Sequence, residues 1–181
     1  MAASASSAFP PMLDHAATEV MLSESRLAWT ALRHGFYAAS GIFMMGDALG
    51  TGVIQAPTDG KVAWAAHLDL AEAAATIAVD EGRYDGPTPP LTGSDALDLA
   101  DLARILSDAS GQPIRRELIS DDDLRTGLAA RGIPDRIVAH SLGMAIASRN
   151  GEFLPVDPTL EQVLGRRPTP MRDLIAQRFT S

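Results

Sequence analysis

The stretch closest to a catalytic motif is "AHSLG" at residues 139–143. It approaches the G-x-S-x-G turn in which α/β-hydrolases place a nucleophilic serine between a strand and a helix. Alanine stands where the first glycine belongs, and no histidine follows His140 to act as the base. The preceding Pro134 is typical of a helix start. We therefore predict a buried helix of small residues here, with a serine hydrolase as the alternative.

The other candidate residues form no metal or phosphate pattern. The histidines at positions 15, 34, 67 and 140 lack the spacing of zinc ligands. The acidic run Asp121–Asp123 lacks the alternating ligands and central glycine of a calcium loop. The glycines of "GDALGTG" at 46–52 do not fit G-x-G-x-x-G and follow no clear strand. The sequence predicts no metal site.

Composition excludes several classes of function. The 181 residues carry a formal net charge of −8 and no basic run, which argues against nucleic-acid partners and anionic membranes. The absence of cysteine excludes disulfides, thiolate catalysis and cysteine-ligated metals. No apolar run reaches the roughly 20 residues of a membrane span, and the N-terminus does not resemble a secretory signal. We expect a soluble, cytoplasmic protein with no membrane partner.

The first half of the chain mixes helix and strand signals. Residues 1–10 are small and polar and are predicted to be flexible. A helix is predicted from Pro11 to about Ser25, followed by a buried strand over 27–33 and a helical stretch over 36–48. "VIQAP" and "VAWAA" are predicted as two strands joined by a turn at Asp59-Gly60. An alanine-rich helix follows over 69–81, with Asp69 as a cap near its start.

The second half is mostly helical. Ser94 is predicted to cap a helix over 95–110 that Gly111 ends, and "PIRRELI" at 113–119 alternates as a strand does. Ser120 and the acidic run behind it predict a helix N-terminus, since carboxylates favour the positive end of the helix dipole. Further helices are predicted over 134–149 and within 159–178.

The stretch "HAATEVMLSESRLAWTALRHGFY" at 15–37 resembles the NmrA-like family, which are atypical short-chain dehydrogenases/reductases. The similarity is to the NAD(P)H-dependent quinone oxidoreductase type. "DGKVAWAAHLDLAEAAATIAVDEGRYDG" at 59–86 and "PLTGSDALDLADLARILSDASGQPI" at 90–114 also resemble family segments, in the same order. The family's glycine-rich phosphate-binding loop belongs to its N-terminal half, and no such loop occurs in this sequence.

The resemblance implies an α/β fold, the C-terminal portion of a Rossmann-like parallel sheet plus a small, mostly helical α/β substrate lobe. It divides the chain into a flexible N-terminus (1–10), a partial Rossmann-like region without the glycine-rich loop (11–85) and a C-terminal substrate or lid lobe (86–181). A strand left at the edge of a partial sheet would expose apolar surface. We therefore expect a homo-oligomer or a separate N-terminal half as partner.

The resemblance also assigns candidate site residues. The predicted cofactor-binding residues line the nicotinamide and substrate cleft: Arg33, His34, Gly35, Phe36 and Tyr37. Gly35 would permit close backbone approach. Phe36 or Tyr37 would offer a flat face to a quinone ring, the alternative being that both rings anchor the core.

His15 is the candidate catalytic residue that the resemblance implies. It stands where short-chain reductases usually carry the lysine of Y-x-x-x-K, and Pro11 occupies the tyrosine position. His15 could hydrogen-bond the nicotinamide ribose as that lysine does. The alternative is an ordinary surface histidine on a helix.

The implied activity is hydride transfer from NADP or NAD to a quinone or carbonyl acceptor. The sequence suggests a truncated form that could be inactive alone, because nothing in it grips the diphosphate of a dinucleotide. The alternative is a non-catalytic, dinucleotide-sensing regulatory or binding protein.

Overall fold

A computed structural model describes residues 4–80, 82–154 and 156–179 of the chain. The helices, in chain order, are α1 Pro10–Ser23, α2 Ala38–Met44, α3 Ala48–Thr51, α4 His67–Val79, α5 Leu99–Ser110, α6 Asp121–Ala130, α7 Asp135–Arg149, α8 Thr159–Leu164 and α9 Met171–Phe179. The strands are β1 Thr30–Ala31, β2 Val53–Ala56, β3 Val62–Ala63, β4 Gly86–Pro87, β5 Ala96–Leu97 and β6 Arg115–Leu118.

The strands form three short pairs. β1 pairs with β4 and β2 with β6, both in parallel, whereas β3 and β5 are antiparallel. Isolated parallel bridges join His34 to Leu91 and Tyr37 to Ala65. These bridges continue the β1–β4 direction and connect it to the segment after β3. The architecture confirms the predicted fold class of partial parallel sheet and mostly helical lobe.

Two apolar clusters form the core. The larger one packs the aromatic rings of Phe9, Phe36, Trp64 and Phe153 against α5 and α9. The smaller one lies between α4, Leu91 and α8. Leu102 and Leu106 of α5 are almost fully buried in the larger cluster. No helix in the described part of the chain is both long and apolar enough to cross a bilayer.

The segment before α1 packs against the rest of the molecule. The Ser7 hydroxyl donates to a Glu152 carboxylate oxygen, and the Ala8 N–H donates to the other at 3.3 Å. Phe9 is buried in the larger cluster. Within the range 1–10 that the sequence predicts to be flexible, residues 4–9 therefore make tertiary contacts, and residues 1–3 lie outside the described part.

The strand predicted over 27–33 is observed, but it is shorter and more exposed than predicted. The observed strand is only Thr30–Ala31, and the Leu27 side chain is 70% exposed. In the described residues β1 has a single neighbouring strand, β4, of two residues. A two-residue strand that pairs on one edge does not bury the apolar residues that precede it.

The two strands predicted on either side of Asp59-Gly60 are observed as β2 and β3. They do not pair with each other, because β2 pairs with β6 and β3 with β5. The Arg116 guanidinium donates to the Pro57 carbonyl at 2.5 Å, and the Asp59 carboxylate accepts from the Leu99 N–H at 2.8 Å. A Cβ on Gly60 would lie 2.1 Å from the Ser148 carbonyl oxygen. These contacts hold the loop against β6, α5 and α7, so that β2 and β3 lie beside different strands.

Several helix boundaries differ from the prediction. The helical stretch over 36–48 is divided into α2 and α3, with Gly46 at a positive φ of 55° between them. The helix over 95–110 begins later, because Asp98 and Asp101 form its capping box and Ser94 does not cap it. Residues 96–97 form β5 instead.

The helix predicted over 69–81 begins at His67 after the N-cap Ala66. Asp69 therefore lies inside the first turn and does not cap its own helix. The predicted last residue, Glu81, lies outside the described part of the chain.

Other predicted elements are confirmed. Ser120 caps α6 through a capping box with Asp123, Gly111 ends α5 with a positive φ of 69°, and β6 lies within "PIRRELI". The "AHSLG" stretch lies inside α7, where the Ser141 hydroxyl donates to the Ile137 carbonyl at 3.0 Å. A serine in mid-helix is not a nucleophile on a strand–helix turn, so the hydrolase alternative is wrong.

Candidate functional site

A cavity of about 480 Å³ lies between α1 and the segment that follows β1. Its volume falls within the range of small-molecule sites in proteins. Its lining surface is mostly apolar, although half of the lining residues carry polar side chains. The lining residues are Phe9, Pro11, Met12, His15, Thr18, Glu19, Leu22, Ala31, Leu32, Arg33, His34, Gly35, Phe36, Tyr37, Ser40 and His140.

The structure brings every predicted site residue to this cavity. The loop 33–37 forms one wall, and His15 lies on the opposite wall, on α1. Pro11, one turn before His15, also lines the cavity. Pro11 has no hydroxyl to donate a proton into this space.

The loop 33–37 is held by backbone hydrogen bonds on both sides. On one side the Arg33 N–H donates to the Thr88 hydroxyl at 3.1 Å, and the Gly35 N–H donates to the Leu91 carbonyl at 2.7 Å. On the other side the Ala65 N–H donates to the Phe36 carbonyl at 2.8 Å. The loop wall of the cavity is thus fixed by the backbone before any ligand enters.

Gly35 is required by the fold itself. A Cβ at this position would lie 2.8 Å from the Leu91 carbonyl oxygen, closer than packed atoms tolerate. The close backbone approach predicted for Gly35 is therefore observed within the chain, against Leu91. The prediction that it serves a bound ring stays a proposal.

The two aromatic residues of the loop differ in environment. Phe36 is only 8% exposed and packs edge-on against Trp64 with ring centroids 5.6 Å apart. Tyr37 is 42% exposed, and its ring lies 4.4 Å from that of His67. Phe36 therefore anchors the core, whereas Tyr37 presents an accessible aromatic face at the cavity.

An ion pair crosses the cavity wall. Arg33 donates from Nε to Glu19 Oε1 at 2.8 Å and from Nη2 to Oε2 at 2.6 Å. These hydrogen bonds lower the pKa of the Glu19 carboxyl and raise the pKa of Arg33. Such a two-point contact fixes the orientation of both side chains and favours the charged form of each. It joins α1 to the loop and so sets the distance between the two walls.

The imidazoles at the cavity come from three elements. His34 is partly buried, and burial, which disfavours the charged ring, lowers its pKa. His15 and His140 are exposed, and the Phe9 ring contacts His140 edge-on at 4.7 Å. From the sequence, His140 was considered only as part of the hydrolase-like motif and as one of four histidines without the spacing of zinc ligands. Its approach to this cavity depends on how α7 packs beside α1, which no local pattern signals.

The described residues fit a planar ring better than a whole dinucleotide. The aromatic and apolar walls suit a ring, but the "GDALGTG" segment cannot cradle a diphosphate. Its central part is the four-residue helix α3, which follows α2 and not a strand. Nor do any His, Asp or Glu side chains in the described ranges group as a metal site.

Comparison with known proteins finds similarity to oxidoreductases over most of this chain. No family model matches the chain. Quinone oxidoreductase 2 of Escherichia coli is 30% identical over 92% of this chain and 58% of its own length. An NmrA-like family domain-containing oxidoreductase of Aspergillus flavus is 27% identical over 90% of this chain and 54% of its own length. The chain thus spans little more than half of these relatives.

A solved structure shares most of the fold. The NADPH-dependent quinone oxidoreductase of Escherichia coli, complexed with NADPH, superposes with a TM-score of 0.88 at 28% identity. The match covers 96% of this chain and 62% of that one. The fold and the cavity define a Rossmann-like α/β protein with a ligand cleft. These comparisons confirm the resemblance of the chain to the NmrA-like family of atypical short-chain dehydrogenases/reductases.

Proposed function

We propose that this chain forms the acceptor side of an NAD(P)H-dependent oxidoreductase that reduces a quinone or similar carbonyl compound. The observation that carries the proposal is the cavity between α1 and the loop 33–37, which gathers His15 and the five loop residues. Support also comes from relatives that are described as quinone oxidoreductase and oxidoreductase. A bound NADP or NAD would supply the hydride.

The chain's own residues orient the acceptor and exclude water. Tyr37 offers its ring face, and its stacking against His67 limits the orientations that this face can adopt. Phe36 and Phe9 close the floor of the cavity with buried apolar surface. The imidazole of His15 serves as a hydrogen-bond donor towards the cofactor ribose in this proposal. With Pro11 at the tyrosine position, the proton for the acceptor oxygen comes from solvent.

The partners in this proposal are a small-molecule acceptor and either a second copy of the chain or a separate diphosphate-holding half. The exposed apolar side chains at the end of α1 and before β1 support a protein partner. The regulatory alternative has less support, because the matched proteins reported above are oxidoreductases by name.

Direct binding tests the acceptor site. We expect the purified 181-residue chain to bind menadione, a neutral naphthoquinone, in isothermal titration calorimetry. Tyr37→Leu removes the ring face and should weaken binding by about tenfold, since a stacked aromatic pair contributes on the order of 1 kcal/mol beyond burial. Phe43→Leu is the control, because Phe43 is exposed and does not line the cavity. Equal effects of the two variants would argue against the cavity as the acceptor site.

Dinucleotide binding is the second measurement. We expect these 181 residues to bind NADPH only weakly, with a dissociation constant on the order of millimolar, because the described residues contain no glycine-rich strand–turn–helix to receive the diphosphate. Tight stoichiometric NADPH binding in the same calorimeter would contradict this. NADPH oxidation in the presence of menadione, followed by absorbance, would then distinguish an active reductase from a dinucleotide sensor.

A further inference from the structure

The cavity wall contains one carboxylate and one guanidinium, and they neutralise each other. Glu19 and Arg33 form the two-point pair described above, with side chains 17% and 25% exposed. Among the described residues that line the cavity, no other is Asp, Glu, Lys or Arg. The formal charge of the lining is therefore zero whenever its imidazoles are neutral.

The pair is arranged so that loss of one partner would leave the other charge in place. Hydrogen bonds to Thr88 and Leu91 fix the Arg33 backbone independently of Glu19, and Glu19 is held within the helix α1. A guanidinium that loses a carboxylate partner at a partly buried site attracts carboxylate or sulfonate groups, which match its planar donors. In the native chain Glu19 accepts from the Nε and Nη2 donors of Arg33.

We propose that Glu19 determines acceptor specificity: by pairing with Arg33, it makes the cavity select uncharged planar acceptors and reject anionic ones. This inference rests on the proposed function, since it concerns the ligand of the same cavity. It adds a residue that does not itself transfer hydride or protons but sets the charge that the acceptor meets.

The test compares two ligands in Glu19→Gln. Menadione and a ring-sulfonated naphthoquinone are titrated calorimetrically at about pH 8.5 and low salt, where histidine side chains are neutral. Wild type should prefer menadione. Glu19→Gln should bind the sulfonate about tenfold more tightly than wild type does, as expected for a charge-assisted hydrogen bond. Its affinity for menadione should stay within about twofold, since the neutral ring meets no new charge.

Two further variants isolate the cause. Glu24→Gln removes the same formal charge from an exposed position outside the cavity and should leave the ligand preference unchanged. Adding Arg33→Gln to Glu19→Gln should abolish the gain for the sulfonate, because the guanidinium that attracts the anion is then gone.

The outcomes separate the two proposals. Failure of wild type to bind menadione would overturn the proposed function and this inference with it. Menadione binding with an unchanged preference in Glu19→Gln would overturn this inference alone. If circular dichroism shows that Glu19→Gln does not fold, Arg33→Gln decides. It leaves the carboxylate uncompensated and should bind a cationic planar dye about tenfold more tightly than wild type does, and no gain would overturn the inference.

Discussion

At the scale of single residues, Asp69 joins two segments that are distant in sequence. Its side chain is 1% exposed, and its carboxylate accepts hydrogen bonds from the Thr169 N–H at 2.6 Å and from Arg166 at 2.9 Å. The same Arg166 also contacts the exposed Glu72 at 2.5 Å. A buried carboxylate tolerates this position only because its oxygens are fully occupied. Asp69 is therefore a structural anchor between α4 and the segment before α9.

Removing this carboxylate should destabilise the protein strongly. Asp69→Ala leaves the Thr169 N–H and part of Arg166 without acceptors, so we expect a loss of about 3 kcal/mol in the free energy of unfolding. Glu72→Ala, which removes the exposed partner of the same arginine, should cost less than about 1 kcal/mol. Urea denaturation followed by circular dichroism measures both. Similar losses in the two variants would contradict the anchoring role.

The pair of Glu19 and Arg33 predicts a pH dependence. The pKa of Glu19 in the folded chain lies below its ordinary value of 4.5, chiefly because Arg33 donates hydrogen bonds to the ionised form. A group with a lowered folded pKa adds stability above its unfolded pKa and loses that contribution as the pH falls through the folded pKa. The pair should therefore stabilise the chain fully at pH 7 and progressively less below about pH 4.5.

The difference in unfolding free energy between wild type and Glu19→Gln reports this contribution. It should be largest near neutral pH and shrink as the pH falls through the lowered pKa of Glu19, since the protonated side chain resembles glutamine. Urea titrations at a series of pH values measure it. A difference that stays constant over the acid range would show that Glu19 titrates alike in the folded and unfolded chain.

At the scale of elements, α7 and the segment before α1 pack at van der Waals contact. A Cβ built on Gly143 of α7 would lie 2.5 Å from the Ala8 carbonyl oxygen and 2.8 Å from the Pro10 ring. Gly143 therefore permits this approach, which seats Phe9 in the core and brings His140 to the cavity. By contrast, Gly127 of α6 has open space around its Cβ position.

The two glycines give a matched test of this packing. Gly143→Ala should destabilise the protein by about 1–3 kcal/mol, since overpacking outweighs the gain in helix propensity. Gly127→Ala should instead stabilise it by about 0.5–1 kcal/mol, because alanine reduces the entropy of the unfolded chain without a clash. Thermal and urea unfolding measure the sign of each change. Stabilisation by Gly143→Ala would show that the segment before α1 is not held at this distance.

At the scale of the whole molecule, apolar surface is left exposed beside β1. Met21 and Leu27 are about 70% exposed, and β1 has one neighbouring strand in the described part of the chain. An open strand edge next to apolar side chains favours association. The two core clusters do not extend to this surface.

We expect the chain to self-associate at concentrations on the order of tens of micromolar, because exposed apolar patches gain free energy when buried. Met21→Lys with Leu27→Lys should shift the population towards monomer in sedimentation velocity. Leu68→Lys with Val79→Lys, which alters two still more exposed apolar residues on α4, is the control and should change little. A wild-type chain that stays monomeric throughout would refute this expectation.

Sequence patterns predicted those structural features, such as helix caps and helix ends, that depend on residues close together in the chain. The caps of α6 and the end of α5 follow from Ser120 and Gly111, since a hydroxyl or a positive φ acts within one helical turn. The order of helices and the fold class also followed, the latter through family resemblance. The strands around Asp59 were predicted, but not their partners, since Arg116 and Leu99, far away in sequence, bind the loop between them.

The candidate site also has features that the sequence predicted and features that only the tertiary structure decided. The sequence by itself placed His15 and the loop 33–37 on consecutive elements and showed that no diphosphate loop is present. Only the tertiary structure closed these elements into one cavity, paired Glu19 with Arg33, and brought His140 from α7. The physical reason is that capping and turn geometry are decided over a few residues, whereas a cavity and its charge depend on packing between segments that no local pattern encodes.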